Sequence, residues 1–239
     1  MFKRFVKYFL LRLPYLIVPT KYGLFVTPPS SPKAQMLGRY ELEVSRGLEL
    51  FLKRGDVFID IGAHAGYFTL KCAKIVGGGG LVVSFEPNPK TYRALHLNVL
   101  INRLENVYIF KIALSNRDGP GFLEVPRIGG ISRTSQSKLN LNSGMYKVCV
   151  AKLDVILAKA KIKPDVIKID VEGEELNVLK GSVRTLRSGV RLLIIELHSK
   201  NNVKIIQDLL ESLKYKIINH KDRWMFAFGR NIPEKPMYF

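Results

Sequence analysis

The sequence predicts an α/β protein built on an open, mostly parallel sheet with helices on both faces. Three observations predict it. Four short apolar runs, Asp56–Ile61, Leu81–Phe85, Asp165–Ile169 and Arg191–Glu196, are nearly continuous, as strands covered on both faces are. Segments of helical periodicity alternate with them, as crossover helices must. The first run ends in a glycine turn, Asp60-Ile61-Gly62-Ala63-His64-Ala65-Gly66, and the second ends at Glu86-Pro87. In open sheets of this kind a ligand sits beyond the carboxyl ends of the strands.

The elements follow in chain order. Phe2, Phe5, Val6, Phe9, Leu10 and Leu13 share one side of a helix, with Lys3, Arg4 and Lys7 opposite. Such a stripe either lies on an anionic lipid surface or packs on its own domain. Arg12 and Pro14 interrupt it and no small-residue cleavage site follows, so it is not a secretion signal; it is also too short and too charged to span a bilayer. Tyr15–Pro32 reads as irregular, with Pro19, Pro28, Pro29 and Pro32 as breakers. Ala34–Lys53 reads as a helix leading into the domain. The chain thus divides into a basic lead-in, residues 1–45, and a domain, residues 46–239.

Within that domain the strand Asp56–Ile61 leads to a helix at Tyr67–Ile75, which the Gly77–Gly80 run ends. Leu81–Phe85 is followed by a helix over Asn88–Asn102 and a third strand, Val107–Ile112. Phe122–Val125 and Tyr146–Val150 read as short strands around a polar loop, and the segment Gly119–Val150 as a cover for an acceptor pocket. A helix at Leu153–Ala160 precedes the strand Asp165–Ile169. Helices at Glu174–Leu179 and Val203–Leu213 flank the strand Arg191–Glu196. Tyr215–Asn219 and Trp224–Phe228 close the chain as an antiparallel pair.

Composition narrows the partners. The chain has 239 residues and a formal net charge of +18, which favours anionic partners such as acidic lipid, nucleic acid or phosphorylated carriers. No acid precedes Glu41, and between Arg127 and Lys163 eight basic residues face Asp154 alone. Cys72 and Cys149 lie far apart without a Cys/His cluster, so neither a disulfide framework nor a structural zinc site is expected. They read as two buried thiols in a reducing, cytoplasmic setting; the N-terminal stripe adds peripheral membrane contact if it meets lipid.

The turn itself selects the ligand. A dinucleotide site uses Gly-x-Gly-x-x-Gly so that amides embrace a pyrophosphate. Here the spacing is Gly62-x-x-x-Gly66 with Asp60 just before it. A carboxylate there repels a pyrophosphate and attracts an ammonium or sulfonium. S-adenosylmethionine (SAM) carries both cations and no phosphate.

These residues also resemble a known family. Asp56-Val-Phe-Ile-Asp60-Ile-Gly-Ala-His-Ala-Gly-Tyr-Phe-Thr69, Phe85-Glu-Pro-Asn-Pro89, Lys168-Ile-Asp-Val-Glu-Gly173 and Leu179-Lys-Gly181 resemble, in order and spacing, the FkbM family of SAM-dependent methyltransferases. The resemblance covers residues 56–198. It implies a Rossmann-like class I methyltransferase fold, with a mostly parallel seven-stranded sheet and a C-terminal antiparallel strand. It also implies O-methylation of a hydroxyl on a saccharide, lipid-linked glycan or secondary metabolite. His64 stands where the family usually has an amide, and Glu174 where it often has an aromatic residue.

Roles follow residue by residue. Asp60 is expected near the methionine ammonium, and Gly62 and Gly66 let the backbone approach the ligand. Glu86 is expected to accept from the ribose diol, stiffened by Pro87. The resemblance places adenine at Ala113-Leu114-Ser115. The cofactor set is thus Asp60, Gly62, Ala63, His64, Gly66, Tyr67, Glu86, Pro87 and Ala113. Methyl transfer needs the acceptor oxygen opposite sulfur at about 3–3.5 Å, and a hydroxyl is helped by a base. Asp170, Glu172 and His198 are the catalytic candidates, and no metal ligand set is predicted. Lys168, inside an apolar strand, needs a partner: Asp60, Glu196 or Asp170. RNA is a weaker acceptor candidate, because no Asn/Asp-Pro-Pro-aromatic motif and no strand-end cysteine is present. A non-catalytic SAM-binding scaffold is the third reading.

Overall fold

The computed structural model of the chain describes residues 15–27, 41–125, 127–128, 131–132, 138–140, 145–221 and 223–229. The expected N-terminal amphipathic helix, and the part of the expected Ala34–Lys53 helix that precedes Glu41, fall outside these residues.

A hairpin comes first, β1 (Leu16–Thr20) paired antiparallel with β2 (Gly23–Thr27). This corrects the expectation that Tyr15–Pro32 is irregular. Pro19 sits in an edge strand, where a missing N–H is tolerated. The other edge is held by side chains. Val26 N donates to Asn98 Oδ1 at 2.6 Å and Leu24 N to Asn102 Oδ1 at 2.9 Å. Two asparagines one helical turn apart thus stand in for a third strand, which proline counting cannot reveal. The helix α1 (Leu42–Phe51) follows and buries Val44 and Leu48 in the core.

The central units are β3 (Val57–Ile61), α2 (Tyr67–Val76), β4 (Leu81–Phe85), α3 (Pro89–Ile101) and β5 (Val107–Phe110). The chain then leaves the main sheet. β6 (Ile112–Leu114), β7 (Gly119–Glu124), β10 (Lys138–Asn140) and β11 (Tyr146–Ala151) form a second sheet in the order β10-β7-β11-β6. Between them β8 (Arg127–Ile128) and β9 (Ile131–Ser132) pair as a ribbon. The third core strand therefore stops at Phe110 rather than Ile112, and Ile112 instead pairs with Cys149. In β11 Val148 and Val150 point inward while Lys147 and Cys149 point out. Cys72 is buried as expected; Cys149 is exposed, which corrects the expectation of two buried thiols.

The chain returns through α4 (Leu153–Ala160) to β12 (Val166–Ile169), α5 (Glu175–Lys180), α6 (Val183–Arg187), β13 (Leu192–Glu196), α7 (Val203–Ser212), β14 (Lys216–Lys221) and β15 (Trp224–Phe228). The helix α6 had no counterpart in the sequence reading. The seven-stranded sheet has the order β14-β15-β13-β12-β3-β4-β5. β15 pairs antiparallel with both neighbours, and the pairings among β13, β12, β3, β4 and β5 are parallel.

Alternation along these strands separates two cores. Phe58, Val82, Val166 and Ile194 pack with α1, α2 and α3 on one face. Ile59, Ile61, Val83, Ile167 and Ile195 pack with α4 to α7 on the other. Going from β3, the chain adds β4 and β5 on one side, while β12 and β13 come later on the other. The switch point, where loops leave in opposite directions, lies between β3 and β12.

Candidate active site

Polar residues replace apolar ones at the carboxyl ends of the central strands, all on the face that carries Phe58. Strand register sets them side by side: Ser84 beside Asp60, and Asp60 beside Lys168. Asp60 Oδ2 accepts from Thr69 Oγ1 of α2 at 2.7 Å, and that hydroxyl lies 2.9 Å from Ser84 Oγ. Lys168 Nζ lies 3.6 Å from Asp60 Oδ1 and 3.4 Å from Asp170 Oδ2. Two of the three partners expected for the buried lysine are therefore present. Burial works against the Lys168 charge, but Asp170 and Asp60 outweigh it and raise its pKa. Burial pushes the Asp60 carboxyl up, against the pull of Lys168. Asp60 Oδ1 receives no hydrogen bond among the described residues.

The glycine turn presses on this row. Gly62 has φ +76, and a Cβ there would lie 1.7 Å from the Asp170 carbonyl oxygen. Only glycine lets the turn after β3 seat against the end of β12. Gly66, at φ +88, opens α2 in the same way. The amides of Gly62 and Ala63 both donate to Phe85 O at 3.0 Å. His64 adopts φ 53, unusual outside glycine. Burial pushes its imidazole down to about 4, so it is neutral, and neither ring nitrogen has a hydrogen-bond partner among the described residues.

Glu86 ties the turn to the next helix. Its Oε2 accepts from His64 N at 2.8 Å; its Oε1 accepts from Asn88 N and Thr91 Oγ1, both at 2.9 Å. The helix cap itself is Asn88, whose side chain accepts from Lys90 N. Burial pushes Glu86 up to about 7 despite those donors. Oε1 holds two donors, whereas Oε2 holds one, which leaves an acceptor site on Oε2. Pro87 is half-buried beside it. The Tyr67 ring lies in the core against Phe25 and Phe68, with edge-on centroid separations of 5.9 and 5.3 Å. Ala113 is buried in β6, and Ser115, just beyond that strand, donates to Glu174 Oε2 at 3.0 Å.

A second group stands at the ends of β12 and β13. His198 Nδ1 lies 2.8 Å from Glu175 Oε1, which also accepts from Gly173 N at 2.8 Å. His198 Nε2 faces Glu172 and Glu196 at 3.5 Å each and Asp170 at 3.9 Å. The three catalytic candidates are thus neighbours. Glu172 does not cap α5; that place belongs to Glu174. Glu172 instead has φ 52 in the turn before α5, another left-handed residue beside the site. Behind this group, Arg223 Nε reaches Glu196 Oε1 at 2.7 Å. Burial and the neighbouring Asp170 raise the Glu196 pKa. Burial acts the same way on Asp170, but Lys168 outweighs it and holds Asp170 low.

Asp170, Glu196 and His198 each bring one ligand atom within 4.8 Å of the others, a spacing that suits a cation. Lys168 and Arg223 already place two positive groups against these carboxylates. Two acceptors are left for a ligand by hydrogen-bond count: Asp60 Oδ1 receives no hydrogen bond among the described residues, though it faces Lys168 at 3.6 Å, and Glu86 Oε2 holds one donor. Sequence reasoning missed Thr69 and Glu175 as parts of the site and named Glu196 only as a lysine partner. Glu196 had a visible signal: an acid inside a buried run, two residues before His198.

Comparison with known proteins shows the family. The family model described as "Methyltransferase FkbM domain" matches residues 60–217. Hexuronic acid methyltransferase AglP of Haloferax volcanii is 30% identical over 177 residues, covering 74% of this chain and 70% of that protein. Among solved structures, the FkbM methyltransferase of Methylobacillus flagellatus superposes with a TM-score of 0.54 at 17% identity, over 72% of this chain and 43% of that one. The chain thus spans less than half the length of that structure. A SAM-dependent O-methyltransferase of Thermotoga maritima superposes with a TM-score of 0.52 at 16% identity, over 92% of this chain and 79% of its own. The chain belongs to the FkbM methyltransferase family, has the class I fold and uses S-adenosylmethionine.

Proposed function

We propose that this FkbM methyltransferase transfers the SAM methyl group to a hydroxyl of an anionic saccharide. The observation that supports this most is the 30% identity to a protein named a hexuronic acid methyltransferase. The net charge of +18 fits an anionic acceptor. A hexuronic acid offers both hydroxyls and a carboxylate to a methyl donor. Glu172, Asp170, Glu175 and Glu196 crowd the end of β12, and a carboxylate brought to them as acceptor meets like charge. A hydroxyl meets proton acceptors instead.

In this reading Asp60 Oδ1 takes the methionine ammonium and Glu86 Oε2 a ribose hydroxyl. The turn from Gly62 through Ala63 and His64 to Gly66 lies against the methionine, with Tyr67 opening the helix behind it; Pro87 and Ala113 border the nucleoside. Asp170, Glu172 and His198 face the acceptor. When bound, SAM supplies an electrophilic methyl on a sulfonium. The protein's part is to orient the acceptor oxygen, exclude water and receive one proton. The division into residues 1–45 and residues 46–239 belongs to the same proposal, with the apolar stripe before Pro14 resting on anionic lipid near a lipid-linked acceptor. Among the described residues no helix is long and apolar enough to cross a membrane.

The test is incubation with isotopically labelled SAM and a panel of uronic-acid and neutral saccharides, read by mass spectrometry. Label on a hydroxyl of the acidic sugars is expected. Label on their carboxylates, on RNA, or on nothing despite SAM binding would replace this reading. Flotation with anionic vesicles tests the membrane part; equal recovery after deletion of residues 1–14 would remove it.

A further inference from the structure

We propose that Glu175 is a positioning residue that makes His198, rather than Asp170 or Glu172, the proton acceptor for the methylated hydroxyl. The inference rests on the O-methyltransferase reading given above and adds to it a residue and a proton path.

The geometry separates the three candidates. Glu175 is 1% exposed and lies in the first turn of α5. Its Oε1 is fixed by the Gly173 amide at 2.8 Å and lies at the same distance from His198 Nδ1. A carboxylate at that distance takes the Nδ1 proton as donor, so the neutral ring carries its lone pair on Nε2. That nitrogen points at the carboxyl ends of β12 and β13, with Glu172 and Glu196 at 3.5 Å and Asp170 at 3.9 Å. These separations are too long for good hydrogen bonds, so the Nε2 lone pair is uncommitted among the described residues.

Asp170 is a poorer base. It already engages Lys168 at 3.4 Å, and that cation holds its proton affinity low. Glu172 is half-buried, with His198 Nε2 at 3.5 Å. His198 is oriented by one carboxylate and surrounded by others. Burial lowers its affinity for a proton, but Glu175, Glu172 and Asp170 outweigh that and raise it above the ordinary imidazole value. Every charged group facing the ring from neighbouring elements enters this balance: Glu175 from α5, Asp170 and Glu172 from the turn after β12, and Glu196 from β13. Lys168 stands behind Asp170, and Arg223 behind Glu196, with Glu41 3.9 Å from Arg223.

The step balances simply. The acceptor oxygen bonds the methyl carbon while its proton passes to Nε2. The carbon–sulfur bond breaks with its electron pair left on sulfur. The products are an ether, a neutral thioether and an imidazolium, which later gives its proton to water.

The first test needs no turnover. In ¹⁵N-histidine-labelled protein, the His198 ring is expected as the Nδ1–H tautomer when neutral, with a titration midpoint above the ordinary 6.5. Glu175→Gln keeps an acceptor oxygen for Gly173 N and His198 Nδ1 but removes the charge. Its midpoint is expected to fall by about one unit, and the acid limb of kcat/KM to move to lower pH with it. kcat is expected to fall about tenfold or more while affinity for S-adenosylhomocysteine stays within about twofold; His198→Gln should lose about 10²–10⁴ in kcat. Glu174→Gln, the same charge change one residue away, should leave the limb in place. An Nε2–H tautomer in the unaltered protein, or a limb that ignores Glu175→Gln, would overturn the proposal. So would turnover abolished by EDTA and restored by Mn²⁺ with broadening of the His198 signals, since Nε2 would then be a metal ligand. If the unaltered protein methylates no hydroxyl at all, the O-methyltransferase reading fails, and the tautomer and titration still decide the dyad separately.

Discussion

Lys71 and Lys168 are both buried, yet they are kept in opposite ways. Lys71, on α2, donates to Ser45 O at 2.7 Å, closely engages Ser45 Oγ and meets Glu49 at 3.0 Å. Each partner lies within hydrogen-bond reach, and Glu49 is itself 42% exposed. Lys168, on β12, has two carboxylates at 3.4 and 3.6 Å, and Asp60 Oδ1, which it faces, receives no hydrogen bond among the described residues. Burial lowers the Lys71 pKa, whereas Asp170 and Asp60 raise that of Lys168 against the same penalty. Lys71 fastens α1 to α2 with saturated short bonds. Lys168 holds two acids together while leaving one able to receive another cation. The Lys71 cluster is fully satisfied, whereas the Lys168 cluster keeps one acceptor without a hydrogen bond.

Exchange of either lysine is the most severe test of this contrast. Lys168→Met leaves Asp60 buried with no cation and Asp170 half-compensated. It is expected to cost about 3–5 kcal/mol, as breaking a buried pair does. Lys71→Met leaves a backbone carbonyl and a partly solvated carboxylate, with an expected loss of about 1–3 kcal/mol. Denaturant melts of both variants measure the difference; equal losses would erase the distinction. Asp60→Asn should keep the fold and weaken S-adenosylhomocysteine binding about 10–100-fold, the worth of a charged hydrogen bond, by calorimetry. Unchanged affinity would mean that Asp60 Oδ1 has no ligand role.

Glu86 offers a pH test on the same side of the molecule. Its folded pKa, about 7, stands above its ordinary 4.5. The folded state therefore favours the protonated acid. The stability this contributes is present at low pH and is lost as pH rises from 4.5 through about 7. A ribose diol prefers the ionised form, so ligand affinity should rise roughly tenfold from pH 6 to 8 and stay flat in Glu86→Gln. The smallest effect belongs to the rim of the Lys71 cluster. Lys21 pairs with Glu49 at 3.0 Å but is 64% exposed; Lys21→Ala should change stability by at most a few tenths of a kcal/mol.

Much of the sheet was readable because its strands are continuous apolar runs. Leu81–Phe85 and Trp224–Phe228 fall where periodicity put them. The glycine turn and Glu86 were readable because backbone conformation and charge are local properties. What escaped was held at long range. The β1–β2 hairpin depends on Asn98 and Asn102, more than seventy residues away. The path of Ile112–Leu114 into a second sheet depends on partners in β11. Glu175 looked like one acid among several after Asp170, and only the fold brings it to His198 across 23 positions of sequence.

Asn98 also reaches further than the hairpin it edges. Its amide nitrogen donates at 2.7 Å both to Val26 O in β2 and to Ala65 O in the glycine turn. One rigid side chain thus bolts the amino-terminal ribbon to the glycine turn after β3. Tension applied ahead of Tyr15, by a tether, a fused partner or docking on a surface, reaches that turn through this amide and through the Phe25–Tyr67 ring contact beside it. Removing the ribbon would loosen the same loop without altering any residue in it.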